Sequence, residues 1–337
     1  MPIINDGDME ALEKVAGRFG LDEIKSCEKL SGGITNDTFK IITNRGAFVA
    51  QRLNKFFPKS TTLRQYLASN YLRNHQFFDI PQLIKNSNLS LTTKIKNHNW
   101  KVSRYIEHDK VEKNIPLVIK AASKLGKFHE IMSKYDGPIN KPPAINFHNT
   151  KRIIKKLIFM TALASNSPDR EDKIKARKAQ YQTSFISENT PKHYLPKKLP
   201  KIIIHGDPKF ENFLFRDGKV VALIDMDTLM GANELIDIGD ALRSWSIKNY
   251  AEFDKKLFDA ALKAYLTQNK KDYINEKTAL NATLLITLEL AARFMINYFE
   301  ESYFQWDPQK YTSAADYNLT CCNKMLNYYQ SILKYLK

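Results

Sequence analysis

Cysteine is scarce in this chain: 337 residues hold three, at Cys27, Cys321 and Cys322. An odd set with two adjacent thiols excludes a disulfide-stapled scaffold and fits a reducing cytoplasm, where the protein is expected to reside. Long apolar runs are missing too. The most apolar stretch, residues 279–296, is interrupted by Asn281, Glu289 and Arg293. A membrane span needs roughly 18–20 nearly uninterrupted apolar residues, so this stretch reads as a core helix and no membrane partner is expected. The opening MPIINDGDME has no basic segment followed by an apolar one, so no signal peptide is expected. Acidic residues are the scarce sign, 36 against 52 Lys and Arg, which leaves a formal charge of +16. What remains is ordinary. A hydrophobic fraction of 43% is enough to bury a core, which excludes disordered and fibrous classes. The length allows one large domain or two ordinary ones.

The positive charge is unevenly spread. Residues 1–30 carry a net charge of −3, and residues 151–201 carry +9. A nucleic-acid surface would interleave such a patch with stacking aromatics. This segment has only Phe159, Tyr181, Phe185 and Tyr194. A solvated face on a Lys-rich protein is the plainer reading, and a nucleic-acid partner is not expected.

Along the chain, residues 9–19 read as an amphipathic helix capped by Asp8. Strand-like runs at 26–30, 38–43 and 47–53 follow, separated by Ser31-Gly32-Gly33 and Asn44-Arg45-Gly46, and predict an antiparallel meander. Ser60 is a plausible cap for a helix over 61–77. Further strand-like stretches lie at 82–84 and 100–105. Beyond Glu107 the pattern turns helical, over 115–134, 150–164, 169–186, 252–267, 277–300 and 312–335. The layout is a small β-rich lobe, residues 1–105, then a larger, mainly helical lobe, residues 106–337. The fold class expected is α+β.

The stretch from Ile202 to Arg243 carries the chemistry. Ile202-Ile203-Ile204 is a buried strand that ends in His205-Gly206-Asp207, where glycine permits a sharp turn. Residues 213–215 and 220–224 are two further strands, and Asp217-Gly218 between them is a strong hairpin signal. The hairpin brings Asn212 and Asp225 to one end, close to Asp207 on the preceding loop. Oxygen ligands of this kind suit Mg2+, which takes few protein ligands and keeps room for water and phosphates. A carboxylate left off the metal can take a proton from an attacking hydroxyl. That is the layout of phosphoryl transfer.

At these residues, HGDPKFEN followed by IDMD, the sequence resembles the aminoglycoside phosphotransferase/choline kinase superfamily, over nearly the whole chain. The resemblance implies a protein-kinase-like, two-lobed fold and the cofactors ATP and Mg2+. It also implies Asp207 as catalytic base and Asn212 and Asp225 as metal ligands. Asp227, two residues along and on the same face, would touch a second metal or the substrate. Finer strings resemble one branch, the N-acetylhexosamine anomeric kinases. These are GITNDTF from Gly33, QRLN from Gln51, FHNT from Phe147, IDMDT from Ile224, DIGD from Asp237, and Arg293-Phe294 with Tyr303-Phe304.

Other residues keep two readings each. Gly32 and Gly33, with Asn36, stand where a kinase covers the nucleotide phosphates with backbone N–H groups; an ordinary hairpin is the alternative. Arg52 stands where kinases carry the strand lysine that grips phosphate, but the helix after it offers no acidic partner. Tyr105 lies in the lobe-connecting strand, whose backbone would meet adenine. His205 braces the loop or serves as a ligand or base, and His129 is structural. His148 lines the acceptor pocket by resemblance, or its neighbourhood caps the helix at Lys151. Arg293 sits in an apolar run, where a buried cation needs a partner. Either Glu289 at i−4 pairs with it or it binds acceptor hydroxyls or a carboxylate. Tyr303 and Trp306 stack on a sugar ring or pack in the core. Taken together, the expected function is an ATP-dependent small-molecule kinase acting on a hydroxyl of a sugar or sugar derivative. The anomeric hydroxyl of an N-acetylhexosamine is the specific candidate. An aminoglycoside, choline or amino alcohol kinase is the nearer alternative. A non-catalytic nucleotide- or nucleic-acid-binding protein is the more distant one.

Overall fold

The computed structural model describes residues 4–30, 36–54, 58–77, 80–139 and 141–336. The chain opens with helix α1 (Asp6–Arg18), then strands β1 (Ile24–Leu30), β2 (Asp37–Thr43) and β3 (Gly46–Arg52). Helix α2 (Ser60–Asn74) and strands β4 (Thr93–Ile95) and β5 (His98–Arg104) follow. Helices α3 (Ile115–Met132), α4 (Thr150–Ser165) and α5 (Arg170–Asn189) precede strands β6 (Ile202–Ile204), β7 (Phe213–Arg216), β8 (Lys219–Leu223) and β9 (Met230–Ala232). Helix α6 (Leu235–Ser246), the short strands β10 (Ile247–Lys248) and β11 (Glu252–Phe253), and helices α7 (Lys255–Leu266), α8 (Glu276–Glu300) and α9 (Ala314–Tyr335) complete the described elements. The architecture is α+β, with a β-sheet N-terminal region and a helical C-terminal region, as expected. The chain divides into two compact units. The first is Met1–Glu112 with Lys134–Ala144 and Glu211–Met230; the second is Lys113–Ser133, Ile145–Phe210 and Gly231–Lys337.

The first unit is built on a five-stranded antiparallel sheet in the order β1-β2-β3-β5-β4. Its first three strands form the expected meander. Alternation of side chains gives the sheet two different faces. Phe39, Ile41, Phe48, Ala50, Trp100 and Val102 bury one face against Leu12 and Val15 of α1 and Phe19 just after it. Lys101, between Trp100 and Val102, points the other way and donates to Gln65 of α2 at 2.9 Å. Two expected caps are corrected. Asn5, not Asp8, caps α1, accepting from the Asp8 N–H at 2.8 Å. The Asp8 carboxylate is engaged by Arg52 instead. Ser60 is the first residue of α2, not its cap, and the preceding Lys59 makes no side-chain cap. The β7–β8 hairpin also belongs to this unit, and Asp217-Gly218 turns it as the sequence implied. Both residues have positive φ, 50° and 66°, the requirement of a two-residue type I′ turn.

The second unit is helical and centres on α8, which packs against α9, α6 and α4. Among the described residues α8 alone is long and apolar enough to cross a membrane, and most of it is buried inside this unit. It is a core helix. Its N-terminus carries a capping box in which Asn275 and Thr278 satisfy each other's backbone N–H groups. Gly239 lets α6 approach α8 closely: a Cβ there would lie 2.6 Å from the Ala282 carbonyl carbon and oxygen. The basic segment 151–201 spans α4 and α5, whose exposed faces carry Phe159 and Tyr181.

Candidate active site

In the second unit, β6 delivers the chain into His205-Gly206-Asp207. Gly206 takes φ 85°, a conformation that a side chain would resist. The loop is then held from both sides. Asp237, at the start of α6 and fully buried, accepts from the His205 N–H at 2.6 Å and the Gly206 N–H at 2.8 Å. The same carboxylate receives His129 Nε2 at 2.9 Å, while His129 Nδ1 meets the Tyr265 hydroxyl at 2.8 Å. Burial disfavours the Asp237 charge. Its bonds to His129 and the Gly206 N–H, with the nearby His129 and His205 rings, outweigh that and hold its pKa below the usual carboxylate value. His205 is buried and accepts from the Asp207 N–H through Nδ1 at 3.3 Å. His205 and His129 thus brace the loop. The Asp207 carboxylate remains 30% exposed, with Lys209 at 3.1 Å.

The carbonyl side of Gly206 is held by His148, whose Nε2 lies 2.8 Å from the Gly206 oxygen. His148 Nδ1 lies 2.8 Å from Glu289 Oε1, and Glu289 Oε2 accepts from the Thr150 hydroxyl. Glu289 pairs with His148 rather than with Arg293. The helix at Lys151 is capped by Asn149, which accepts from the Arg152 N–H at 3.3 Å. Arg293 lies against the rings of Phe147 and Tyr303, at 5.0 and 5.4 Å to the centroids, and donates to the Tyr303 hydroxyl at 3.1 Å. Burial opposes its charge, but Tyr303, Glu289, Asp207 and Asp240 together keep its pKa above the ordinary value. Arg243 pairs with Asp240 one turn away, at 2.8 Å. Trp306 is half-buried in the segment after α8.

The first unit carries Asn212 and Asp225, the residues expected as oxygen ligands. The Ile224 N–H donates to the Asn212 carbonyl at 2.9 Å, and Phe213 pairs with Leu223. The hairpin therefore sets Asn212 beside the strand end from which Asp225 emerges, as the spacing implied. Asn212 is 4% exposed. Asp225 adopts φ 63°, ψ 48°, a left-handed conformation of the kind that clusters at functional positions. Asp227 is tied down more firmly than expected: Lys101 Nζ lies 2.6 Å from one of its oxygens, and Asn36 Nδ2 lies 3.0 Å from the other. Asn36 Oδ1 in turn accepts from the Asn54 N–H at 2.8 Å. Lys101 and Gln65 were missed in the sequence. The signal was a lysine between the apolar Trp100 and Val102, which alternation turns towards α2.

Arg52 finds the acidic partners that α2 lacks on other elements. Asp37, its cross-strand neighbour, accepts at 2.6 Å, and Asp8 of α1 accepts at 2.7 Å. Burial works against the Arg52 charge, but the two carboxylates raise its pKa above the ordinary value. The Tyr105 N–H donates to the Ala47 carbonyl at 3.1 Å, and Lys40 stands over the Tyr105 ring at 3.8 Å. Gly32 and Gly33 lie outside the described residues.

A clamped His-Gly-Asp loop, followed by a hairpin presenting an amide and a carboxylate, is the equipment of phosphoryl transfer. The chain belongs to the phosphotransferase enzyme family, whose model matches residues 26–270. Solved structures with the same protein-kinase-like fold agree. An amicoumacin kinase in complex with AMP-PNP, Ca2+ and Ami is 15% identical, with a TM-score of 0.67 over 97% of this chain and 94% of that one. An ethanolamine kinase from Plasmodium vivax is 12% identical, with a TM-score of 0.62 over 96% and 91%. A spectinomycin phosphotransferase bound to ADP and spectinomycin is 13% identical, with a TM-score of 0.60 over 96% and 100%. These neighbours share the fold of this chain. The protein is a phosphotransferase acting on a hydroxyl group.

Proposed function

We propose that the protein transfers the γ-phosphoryl group of ATP to a hydroxyl of a sugar or sugar derivative in the cytoplasm. The finer candidate is the anomeric hydroxyl of an N-acetylhexosamine. The observation that carries the kinase reading is the fixed loop that presents a partly exposed Asp207 while Asp237 holds the His205 and Gly206 N–H groups just before it.

Asn212 and Asp225 are the residues that would hold Mg2+. The donor set fits that ion: an amide oxygen and a carboxylate, both hard oxygen donors. When bound, Mg2+ neutralises phosphate charge. Asp227, bonded through both oxygens, keeps the Asp225 segment in place, with a second-metal contact as the finer reading. Asp207 orients the acceptor hydroxyl and takes its proton. Most of the acceleration then comes from positioning and electrostatics. Nucleotide contacts are assigned to the Gly32-Gly33 loop, Asn36, Arg52 and the Tyr105 backbone. Two structural neighbours, crystallised with AMP-PNP and Ca2+ or with ADP, support a nucleotide and a divalent cation.

The acceptor side is assigned to Arg293, Tyr303 and Trp306; the Arg293 guanidinium against the Tyr303 ring suits the hydroxyls and apolar face of a sugar. Neighbours that act on antibiotics or ethanolamine keep cationic acceptors as the alternative. The net charge of +16 and a buried arginine argue against a polycationic acceptor. The test is Mg-dependent ATP consumption on a panel of neutral sugars, N-acetylhexosamines, aminoglycosides, choline and ethanolamine. Turnover stimulated by a sugar is expected; stimulation by the cationic acceptors alone would overturn the sugar reading.

A further inference from the structure

We propose that His148 is a positioning residue for the catalytic loop: as an imidazolium anchored on Glu289, it donates to the Gly206 carbonyl and fixes the peptide that carries Asp207. The claim rests on the reading of Asp207 as the base.

The argument is one of donors and acceptors. Both His148 ring nitrogens face an acceptor at 2.8 Å: Glu289 Oε1 on one side and the Gly206 carbonyl on the other. A carbonyl oxygen and an ionised carboxylate only accept, and a neutral imidazole has a single N–H. A neutral ring beside an ionised Glu289 would leave one pair of acceptors facing each other. The two side chains are 4% and 2% exposed, so water has little access to relieve the conflict. A ring protonated at both nitrogens satisfies both contacts. The groups facing the ring are few. Glu289 and Arg293 come from α8, the loop contributes the Gly206 carbonyl, and the Phe147 ring packs edge-on at 4.6 Å. From α4, the Thr150 hydroxyl reaches the same Glu289. Burial and Arg293 both disfavour the imidazolium, but the Glu289 charge and hydrogen bond, with the Gly206 carbonyl, outweigh them and raise its pKa. Burial likewise disfavours the Glu289 carboxylate, and His148, Thr150 and Arg293 outweigh it in lowering its pKa. Both shifts favour the ionised pair.

The position of the bond gives it a function. Gly206 is the freest backbone in the loop and stands immediately before Asp207. Asp237 holds only the N–H side of Gly206. Without a donor on the carbonyl side, the peptide joining Gly206 to Asp207 keeps only the longer 3.3 Å bond from the Asp207 N–H to His205, and the base is held less firmly. A misplacement near 1 Å costs about 100-fold in rate. His148 itself adopts φ 53°, which a non-glycine residue adopts only when its surroundings hold it there.

The test joins spectroscopy to kinetics on the full chain. In 15N spectra of histidine-labelled protein, the His148 ring should carry protons on both nitrogens at neutral pH and lose one at a pH above the ordinary histidine value. The turnover number should fall through the same pH. His148→Phe should lower kcat by about 10-fold or more while leaving KM for ATP and acceptor within about twofold. His148→Gln, which keeps an amide donor, should recover part of the loss and lack the alkaline fall. A neutral ring at neutral pH, or a folded His148→Phe enzyme with wild-type kcat, would overturn the proposal. If His148→Phe does not fold, the wild-type ring spectrum and its coincidence with the kcat profile decide. Wild-type turnover with a neutral ring sinks this claim and leaves the kinase reading standing. A wild type without ATP turnover sinks the kinase reading, and this claim with it.

Discussion

Lys101 and Asp227 form an ion pair of 2.6 Å in which both side chains are 2% exposed. The pair ties β5 to the segment just past Asp225, and Asn36 and Gln65 complete its hydrogen bonding. A buried pair contributes little net stability compared with well-packed apolar residues, but removing one partner strands the other. Lys101→Met should therefore destabilise the fold by about 3–5 kcal/mol. Lys101→Met combined with Asp227→Leu should cost clearly less than the sum of the single changes. Urea unfolding of the three variants checks this. Additive losses would show that the two residues act independently.

Arg293 is held between two aromatic rings and bonds to a hydroxyl rather than a carboxylate. Arg293→Lys keeps the charge but loses the planar fork, and the two are not interchangeable at a stacked site. Steady-state kinetics should show the acceptor KM rising by about 10-fold, the equivalent of roughly 1.4 kcal/mol, with KM for ATP unchanged. Equal changes in both constants would place Arg293 outside the acceptor site.

Asp237 gives a pH dependence with a definite sign. Its folded pKa is lowered, so the stability it contributes is present above the unfolded value near 3.9 and is lost as pH falls through the folded pKa. Asp237→Asn should be less stable than wild type at neutral pH, and the gap should narrow on acidification below about pH 4. Thermal melts across that range measure it. A gap independent of pH would mean that the carboxylate charge is not what holds the loop.

Gly239→Ala introduces a methyl group 2.6 Å from the Ala282 backbone. The helices must separate to admit it, which should cost about 1–3 kcal/mol. A neutral substitution in denaturant titration would show that α6 and α8 approach less closely than described.

Much of the site was legible because local rules enforce it. Asp217-Gly218 demands a two-residue hairpin, and that turn alone brings Asn212 beside the Asp225 strand end. The apolar run at 279–296 read correctly as a core helix. The supporting residues were harder to read, because their partners are distant in sequence. Glu289 stands four residues from Arg293, and the local rule favoured that pair. The fold instead brings His148 to Glu289 across 141 positions. Arg52 lacked an acid in the following helix, and its partners came from β2 and α1. Asp8 read as a helix cap and serves as one of those partners. Periodicity assigns a face to a residue, but not the residue it meets there.

The most direct test of the central claim is Mg-dependent phosphoryl transfer by Asp207→Ala, measured with the best acceptor from the panel and set beside ATP binding and the melting curve of the same variant. Loss of transfer by at least about 1,000-fold, with folding and nucleotide binding retained, is the result expected. Undiminished transfer by a folded Asp207→Ala enzyme would contradict the assignment.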